Sequence, residues 1–403
     1  MTSSLVVVES PSKSKTLESY LGKDFKVLAS YGHVRDLLPK KGAVDPDNNF
    51  AMVYETIERN EKAVNAIQKA LKKADVLYLA TDPDREGEAI SWHLYELLKE
   101  KGCLKDKEVH RVAFYEVTKS AVQNAIKNPR ELSSNLIDAQ QARRALDYLV
   151  GFNLSPLLWR KIQKGLSAGR VQSPALRMIV EREKEIDDFK TREYWSIESD
   201  LEFKGSEFLA KLTEFNNEKI KKFSIEKTKQ AFNMKSVLEK LSAGEMLVKS
   251  VTKKQRKRQP TAPFITSTLQ QEAIRKLGFT AQWTMRIAQQ LYEGIDIGEG
   301  SVGLITYMRT DSVNLAKEAL TEIRTFISSR YGKNSLPEEA RVFKTKSKNA
   351  QEAHEAVRPT SVTRVPNDIK DSLTDEQFKL YELIWKRTMA SQMRHATIDS
   401  VAV

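Results

Sequence analysis

The sequence contains a single cysteine, Cys103, among its 403 residues. One cysteine can form neither a disulfide framework within the chain nor a cysteine-based zinc site, so both are excluded. The sequence also lacks a Gly-x-x-x-x-Gly-Lys-Ser/Thr motif, which argues against a nucleotide-driven motor of the P-loop kind. No apolar run is long enough to span a bilayer, and the first residues lack a secretory signal pattern. We therefore expect a cytoplasmic protein that does not bind membranes.

The composition that remains is typical of a globular protein, with 40% hydrophobic and 30% charged residues. A chain of 403 residues is too long for one ordinary core, so we expect two to four domains. The formal net charge is +12 and the sequence pI is about 9.4. This excess indicates a polyanionic partner, although a basic surface alone is weak support for one.

The stretch Val302–Ser312 carries a tyrosine and an arginine in a pattern that permits nucleophilic chemistry. A short apolar run predicts an extended strand, and its alternation places Tyr307 and Arg309 on the same side. A guanidinium favours the phenolate and can hold a phosphate, so this pair could attack a phosphodiester. Asp311 and Ser312 predict the cap of a new helix. Taken alone, the stretch is explained more simply by a half-buried strand tyrosine beside a solvated arginine.

A strand and a capped helix are predicted at the start of the chain. Leu5–Val8 is apolar, and Ser10 followed by Pro11 is typical of a helix start. Glu9 follows the strand directly, and Lys13 lies in the first helical turn, which favours anions. An ordinary capped helix with an incidental acid explains the same pattern.

Three acids at alternate positions follow a second predicted strand, Asp75–Ala80. Acids spaced so closely repel one another unless a cation compensates, so we predict a divalent-metal site at Asp82, Asp84 and Glu86. A calcium EF-hand would need glutamate where His93 stands, so Mg²⁺ fits better. A solvated acidic loop is the alternative.

The remaining pattern predicts a parallel α/β first domain to about residue 128, then helices, then strands over 192–260. Glu55–Lys73 reads as an amphipathic helix. Thr266–Leu277 and Thr280–Tyr292 predict a helix-turn-helix pair, and with the Tyr307 strand they suggest a winged-helix-like unit. Arg143, Arg144 and Asp147 share one helix side, where an internal ion pair is also a reasonable interpretation.

Seven motifs closely resemble those of the bacterial type IA topoisomerases, in that family's order and over nearly the whole chain. They favour the topoisomerase I group over topoisomerase III. The matching stretches are Val-Glu9-Ser-Pro-Ser-Lys13, Tyr-Gly-His33-Val-Arg35-Asp-Leu, Thr-Asp82-Pro-Asp84-Arg85-Glu86-Gly-Glu, Gln-Ala-Arg143-Arg144-Ala-Leu-Asp147, Ser-Ala-Gly-Arg170-Val-Gln172-Ser-Pro, Leu-Ile-Thr-Tyr307-Met-Arg309-Thr-Asp-Ser and Ala-His354-Glu-Ala-Val-Arg-Pro.

The resemblance implies a multidomain fold of α/β, α and β parts. It implies a Rossmann-like Toprim domain at 1–128, part of a helical gate domain at 129–191, and a catalytic tyrosine domain at 267–393. A partial β-rich arch would occupy 192–266 and 394–403. The family's remaining arch, gate and C-terminal modules would lie outside this sequence, so we expect this chain not to complete relaxation of DNA.

The resemblance also implies a reaction: Mg²⁺-dependent, ATP-independent cleavage and religation of single-stranded DNA, which relaxes negatively supercoiled duplex DNA. The protein would act as a monomer through a 5′-phosphotyrosine intermediate. The implied catalytic residues are Tyr307, Arg309, Glu9, Lys13 and His354, and the implied metal ligands are Asp82, Asp84 and Glu86. The implied DNA-binding residues are His33, Arg35, Arg85, Arg143, Arg144, Asp147, Arg170 and Gln172. A single-strand-binding module and a Toprim-type metal-dependent nuclease are the alternatives.

Overall fold

The computed structural model describes residues 4–298, 300–344 and 355–403. The described chain forms two compact units. The first comprises Met1–Gly169 with Lys257–Ala396, and the second comprises Arg170–Arg256 with Thr397–Val403. His354, predicted to be catalytic, lies outside the described residues. In the part of the chain that is described, no helix combines the length and the apolar character needed to cross a membrane.

Helices and strands alternate in the first part of the chain, and helices dominate its second half. The helices are α1 (Pro11–Leu21), α2 (Glu61–Leu71), α3 (Arg85–Glu100), α4 (Lys119–Lys127), α5 (Ser134–Lys161), α6 (Gln172–Asp187), α7 (Thr228–Ser242), α8 (Thr266–Leu277), α9 (Ala281–Glu293), α10 (Lys317–Tyr331) and α11 (Asp375–Gln392), with short 3-10 turns at Glu58–Asn60, Lys333–Ser335 and Pro366–Ser372. The strands are β1 (Ser4–Val8), β2 (Phe25–Ala29), β3 (Arg35–Leu37), β4 (Val44–Asp45), β5 (Ala51–Met52), β6 (Tyr54–Thr56), β7 (Val76–Leu79), β8 (Glu108–Arg111), β9 (Glu198–Phe203), β10 (Ser206–Lys211), β11 (Glu214–Phe215), β12 (Glu218–Lys219), β13 (Thr252–Arg258), β14 (Ile295–Asp296), β15 (Ser301–Val302) and β16 (Ala396–Ala402).

A parallel sheet of four strands, in the order β2-β1-β7-β8, organises the N-terminal part of the first unit. β1 is its central strand and is buried along its whole length, as expected for a continuous apolar run inside a parallel sheet. The predicted helix start is confirmed, because Ser10 accepts the Lys13 N–H at 3.3 Å and Pro11 opens α1. The parallel α/β architecture predicted from the sequence is therefore present.

Two predictions of local structure are wrong. The helix predicted over Glu55–Lys73 begins only at Glu61, because Tyr54–Thr56 pairs instead with Arg35–Leu37 in an antiparallel ladder. Asp311 and Ser312 do not cap a helix, since α10 begins at Lys317. The buried Ser312 hydroxyl instead accepts the N–H of Asn314 at 3.2 Å, which fixes a local turn.

The helix pair α8 and α9 is confirmed, but it is followed by two-residue strands and not by a long hairpin. A winged-helix arrangement is therefore not established. Tyr307 lies five residues beyond β15 in irregular extended chain, and not in the strand that the alternation predicted. The largest core cluster joins this region to the N-terminal sheet, since Val6, Tyr292 and Tyr307 all belong to it.

The second unit has a smaller core. The hairpin of β9 and β10 and the short pair of β11 and β12 accompany α7, whose Ala231 and Met234 pack with Ile225. β13 pairs with β16 as a two-stranded sheet. None of the residues of α6 is buried.

A buried ion cluster lies beneath the first unit's parallel sheet. The Glu88 side chain, 0% exposed, accepts Arg111 Nε at 2.9 Å and Arg130 Nη2 at 2.7 Å on one oxygen. The Ser133 N–H donates to its other oxygen at 2.7 Å. Arg111 is itself 0% exposed, so Glu88 is the charge that compensates this fully buried guanidinium.

Glu88→Gln should therefore strongly destabilise the first unit. The substitution leaves the charge of Arg111 buried and uncompensated, which typically costs about 3–5 kcal/mol. Urea denaturation followed by circular dichroism would measure the loss. Glu96→Gln, at a partly exposed position of the same helix, is the matched control and should change stability by less than about 0.5 kcal/mol. Equal stability of the two variants would contradict this account of the cluster.

Candidate active site

A buried lysine joins the ends of two neighbouring strands. Lys13 Nζ donates to Glu9 Oε1 at 3.0 Å and to Asp82 Oδ1 at 2.9 Å, and its side chain is 0% exposed. The Asp82 N–H closes the group by donating to Glu9 Oε2 at 3.0 Å. Lys13 Nζ also lies 4.8 Å from the centre of the Phe114 ring. One cation thus binds two carboxylates that come from β1 and from the loop after β7.

The three charges shift one another's pKa values. Burial raises the pKa of Glu9 to about 8, against the opposing effect of Lys13. Burial would also raise the pKa of Asp82, but Lys13 and the hydrogen bonds outweigh it and lower that pKa. Burial disfavours the charged form of Lys13, yet the two carboxylates prevail and its pKa is raised. The cluster is consistent with an ionised Asp82, a charged Lys13 and a Glu9 able to exchange a proton near neutral pH.

The acidic loop after β7 is held from inside the protein. Asp84 caps α3, since its Oδ1 accepts the Gly87 N–H at 2.9 Å. The buried Arg111 donates to the carbonyl oxygens of Thr81 at 2.9 Å and of Asp82 at 2.7 Å. A Cβ at Gly87 would stand 2.1 Å from the Asp82 carbonyl oxygen, so no other residue fits without a shift. These contacts fix the direction in which the loop presents its acids.

Backbone hydrogen bonds hold Tyr307 in place. Its N–H donates to the carbonyl oxygen of Tyr115 at 2.8 Å, and the Thr306 N–H donates to that of Arg358 at 2.9 Å. Arg358 is buried and pairs with Glu116 at 3.1 Å and with Glu355 at 2.5 Å. These bonds tie the irregular chain at Tyr307 to the segments around Tyr115 and Arg358.

The Tyr307 hydroxyl meets the acidic loop directly. It donates to Asp84 Oδ2 at 2.7 Å, and Arg309 Nη1 donates to the same oxygen at 3.3 Å. The Tyr292 ring packs edge-on against the Tyr307 ring, with 5.2 Å between the centres. Tyr292 also lies near Lys13, with 5.6 Å from Nζ to its ring centre. The tyrosine and arginine thus share one carboxylate, as their common side in the sequence predicted.

The charge state of Tyr307 differs from the prediction. We expected Arg309 to favour the phenolate, but the pKa of Tyr307 is raised well above its usual value. Burial is the largest cause and the charges of Asp82 and Asp84 add to it, while Arg309 opposes them with a smaller effect. In this arrangement the phenol keeps its proton.

A cavity of about 580 Å³ opens at this point. The carboxylates of Glu9, Asp82, Asp84 and Glu86 line one side, together with His33 and Arg309. Residues of α9 also line it. All of these residues belong to the first compact unit. The arrangement offers acids and a guanidinium around a space that can admit a polar substrate, and the Tyr307 hydroxyl is hydrogen-bonded to one of the lining acids.

The predicted metal ligands line this cavity but do not converge as a cage. Among the residues that the structure describes, no group of three or more His, Cys, Asp or Glu side chains is arranged to hold a metal ion. Lys13 binds Asp82, Tyr307 and Arg309 bind Asp84, and Gln140 donates to Glu86 Oε2 at 3.3 Å. Hydrogen bonds from His33, more than any other cause, lower the pKa of Glu86 to about 2. Ionised carboxylates at one wall fit Mg²⁺ held partly by water and phosphate, because this ion needs only one or two of them.

The residues predicted to bind DNA differ from one another in exposure and in their contacts. His33 lines the cavity, with its Nε2 3.6 Å from Glu86 Oε2. Arg85 is exposed at the start of α3. Arg35 is buried in this structure, where it donates to His93 at 3.3 Å and to Glu100 at 2.9 Å, so its binding to DNA remains a prediction.

Arg143 and Arg144 lie on α5, where both ion pairs involve half-exposed side chains. Arg144 binds Asp36 with two hydrogen bonds, of 2.8 and 2.9 Å, and Arg143 Nε lies 4.0 Å from Asp147 Oδ2. The pairing with Asp36 links α5 to β3, which the helical spacing did not predict. Arg170 and Gln172 belong to the second compact unit.

Sequence reasoning missed two residues of the site. Arg111 is one of them, although an arginine between the apolar residues Val109 and Val112 is itself an indication of a buried ion pair. Tyr292 was read as the end of a helix, and its place between Lys13 and Tyr307 depends on contacts distant in the chain.

Two family models match successive regions of this chain. A family model described as "Toprim domain" matches residues 4–117, and one described as "DNA topoisomerase" matches residues 131–403. The chain belongs to the bacterial DNA topoisomerase I family. DNA topoisomerase 1 of Xylella fastidiosa (strain Temecula1 / ATCC 700964) is 61% identical over 100% of this chain and 50% of that relative. DNA topoisomerase 1 of Rickettsia bellii (strain RML369-C) is 58% identical over 98% of this chain and 50% of that protein.

A solved structure supports the same family. Full-length topoisomerase I from Thermotoga maritima matches with a TM-score of 0.81 and 38% identity, over 98% of this chain and 62% of that one. The chain therefore spans about half the length of the curated topoisomerases that it matches.

Gly87→Ala should disturb the acidic loop. Because the new methyl group would overlap the Asp82 carbonyl oxygen, the loop must shift, and we expect a loss of about 1–3 kcal/mol in the free energy of unfolding. Gly151→Ala is the matched control, since Gly151 lies inside α5 with open space around it. That variant should be neutral or more stable by up to about 1 kcal/mol. Urea denaturation measures both, and a neutral Gly87→Ala would contradict the close approach.

Proposed function

We propose that this chain carries the cleavage and religation chemistry of a type IA DNA topoisomerase. The observation that carries the proposal is the hydrogen bond from the Tyr307 hydroxyl to Asp84, a carboxylate that lines the cavity together with Glu9, Asp82 and Arg309. Phosphoryl transfer to tyrosine requires a phenol close to acids and cations that can surround a phosphate. The substrate would be single-stranded DNA.

Residues of this chain can supply and accept every proton that the proposed cleavage step moves. The Tyr307 oxygen forms a bond to phosphorus, and its proton passes to Asp84, which already accepts its hydrogen bond. The bond from phosphorus to the 3′ oxygen breaks, and Glu9 supplies a proton to that oxygen. The downstream strand stays linked through its 5′ phosphate. Religation is the reverse, so the bond energy is kept and ATP is not needed.

Cations would stabilise the charge that develops on the phosphate. Arg309 lines the cavity beside Asp84 and could donate to a phosphate oxygen there, whereas Lys13, buried beside Glu9, would act on the phosphate through its charge. For Arg309 this requires that the phosphate replace Asp84 as its partner. Asp82 and Glu86, with Asp84, would hold Mg²⁺, which supplies Lewis-acid stabilisation of the phosphate when bound.

The wider activity is also part of the proposal. Passage of a strand through the break would relax negatively supercoiled DNA, with a monomer as the acting form. We propose that this chain by itself cleaves and rejoins DNA but does not complete relaxation. Arg143, Arg144, Asp147, Arg170 and His33 would line the path of the single strand. Arg85, Arg170 and Gln172 could donate to its phosphates, and His354 would assist at the reacting phosphate.

Tyr307→Phe should abolish covalent capture of DNA. Incubation with a single-stranded oligonucleotide labelled at its 3′ end, followed by denaturing electrophoresis, should yield labelled protein. The same oligonucleotide labelled at its 5′ end should yield a short free fragment. Phenylalanine keeps the ring packing but has no nucleophile, so both products should vanish. Tyr331→Phe, at an exposed position of α10, is the matched control and should behave as wild type.

The same assay separates the alternatives. Labelled protein that persists in Tyr307→Phe would overturn the assignment of the nucleophile. Free fragments without any adduct would support the metal-dependent nuclease, and intact oligonucleotide bound without cleavage would support the single-strand-binding module.

Metal binding should depend on the substrate. Because protein donors already occupy the carboxylates, we expect weak binding of Mn²⁺, a spectroscopic stand-in for Mg²⁺, to the protein alone. Binding should tighten when a single-stranded oligonucleotide is added to Tyr307→Phe. Electron paramagnetic resonance titration measures both. Asp82→Asn should weaken binding, whereas Asp45→Asn, an exposed control, should not. Tight binding without DNA, unaffected by Asp82→Asn, would refute the assigned ligands.

A further inference from the structure

Residues of α9 line the same cavity as the acidic loop. Met285, Arg286, Gln289 and Gln290 line it, and only Arg286 among these four carries a charge. The other basic side chains of the lining face acids: Arg309 Nη1 lies 3.3 Å from Asp84, and His33 Nε2 lies 3.6 Å from Glu86. A polyanion entering this space meets carboxylates that are partly neutralised, so an uncompensated cation on the other wall would strongly favour its entry.

Arg286 is such a cation. Within the described part of the chain, no carboxylate lies within ion-pair distance of Arg286, and its guanidinium has no hydrogen-bond acceptor. The neighbouring glutamines differ, because Gln289 donates to Glu293 at 2.9 Å and Gln290 accepts from Gln377 at 3.0 Å. Among these α9 residues, Arg286 is therefore the one whose donors carry a positive charge.

The Arg286 side chain is oriented although it is exposed. Its guanidinium carbon lies 5.4 Å from the centre of the Trp283 ring, three residues earlier on the same helix. Stacking on an aromatic face holds the plane of a guanidinium and leaves its N–H groups available at the edges. Such an edge can donate two parallel hydrogen bonds to a phosphate, which a flexible ammonium cannot do.

The position of Arg286 along α9 separates it from the reacting tyrosine. Tyr292, on the same helix, is buried and packs against the Tyr307 ring with 5.2 Å between centres. Arg286 precedes Tyr292 by six positions on this helix, which corresponds to a rise of roughly 9 Å along the axis. A group so placed is suited to a phosphate next to the one that Tyr307 attacks, and not to the attacked phosphate itself.

We propose that Arg286 binds a backbone phosphate of single-stranded DNA adjacent to the cleaved linkage, as a contact independent of base identity. The proposal rests on the proposed function of the same cavity. It assigns Arg286 to substrate binding, and leaves the transfer of the phosphate to Tyr307 and its neighbours.

The test compares three variants in binding to oligothymidylate and oligoadenylate of about 12 nucleotides. Arg286→Ala should weaken binding of both oligonucleotides about tenfold, the usual effect of losing one charged hydrogen bond. The slope of log affinity against log salt should fall by about 0.7, as expected for one lost phosphate contact. Arg286→Lys should keep the slope and lose part of the affinity. Arg275→Ala, at an exposed position of α8, is the matched control and should equal wild type. Fluorescence anisotropy measures all of these.

The outcomes separate this inference from the proposed function. Wild-type protein that neither binds single-stranded DNA nor forms an adduct would overturn the proposed function. Wild-type protein that does both, with Arg286→Ala equal to Arg275→Ala in affinity and slope, would overturn the assignment of Arg286 alone. A loss confined to one of the two oligonucleotides would also overturn it, because a phosphate contact carries no base information.

Discussion

The hydrogen bond from the Tyr307 hydroxyl to Asp84 joins residues 223 positions apart in the chain. Both ends of this bond are held by hydrogen bonds from neighbouring parts of the first unit. Asp84 is fixed by capping α3 and by the grip of Arg111 on the loop before it. Tyr307 is fixed by backbone bonds to Tyr115 and through Thr306 to Arg358. If either support moved, the phenol and the acidic loop would separate and the cavity would lose its chemical character.

The charges around this bond determine whether Tyr307 carries its proton. The phenol keeps its proton because it is buried beside two carboxylates, and Arg309 is engaged with one of them. Arg309 partly offsets this effect, because its positive charge lowers the pKa of Tyr307. Lys13, itself fully buried, meanwhile holds Glu9 and Asp82 together at the edge of the cavity.

Local features of the fold could be predicted because neighbouring residues cause them. The Ser10 cap, the buried run of β1 and the helix pair α8 and α9 follow from side chains within a few positions. The failures have a different cause. Tyr54–Thr56 is a strand because β3 supplies its partner, and Ser312 forms a turn because its surroundings are buried. In both places a tertiary contact outweighed a helical preference.

The sequence by itself determined which groups the site contains: a tyrosine and an arginine on one side of an extended segment, acids at a strand end, and a lysine in a first helical turn. Only the tertiary structure decided how they are charged and which of them meet. It buried Arg35 away from the cavity and placed Arg111 and Tyr292 beneath it. The physical reason is that residue spacing along a chain fixes local direction. The pKa of a phenol and the partner of a guanidinium depend instead on burial and on charges brought from distant segments.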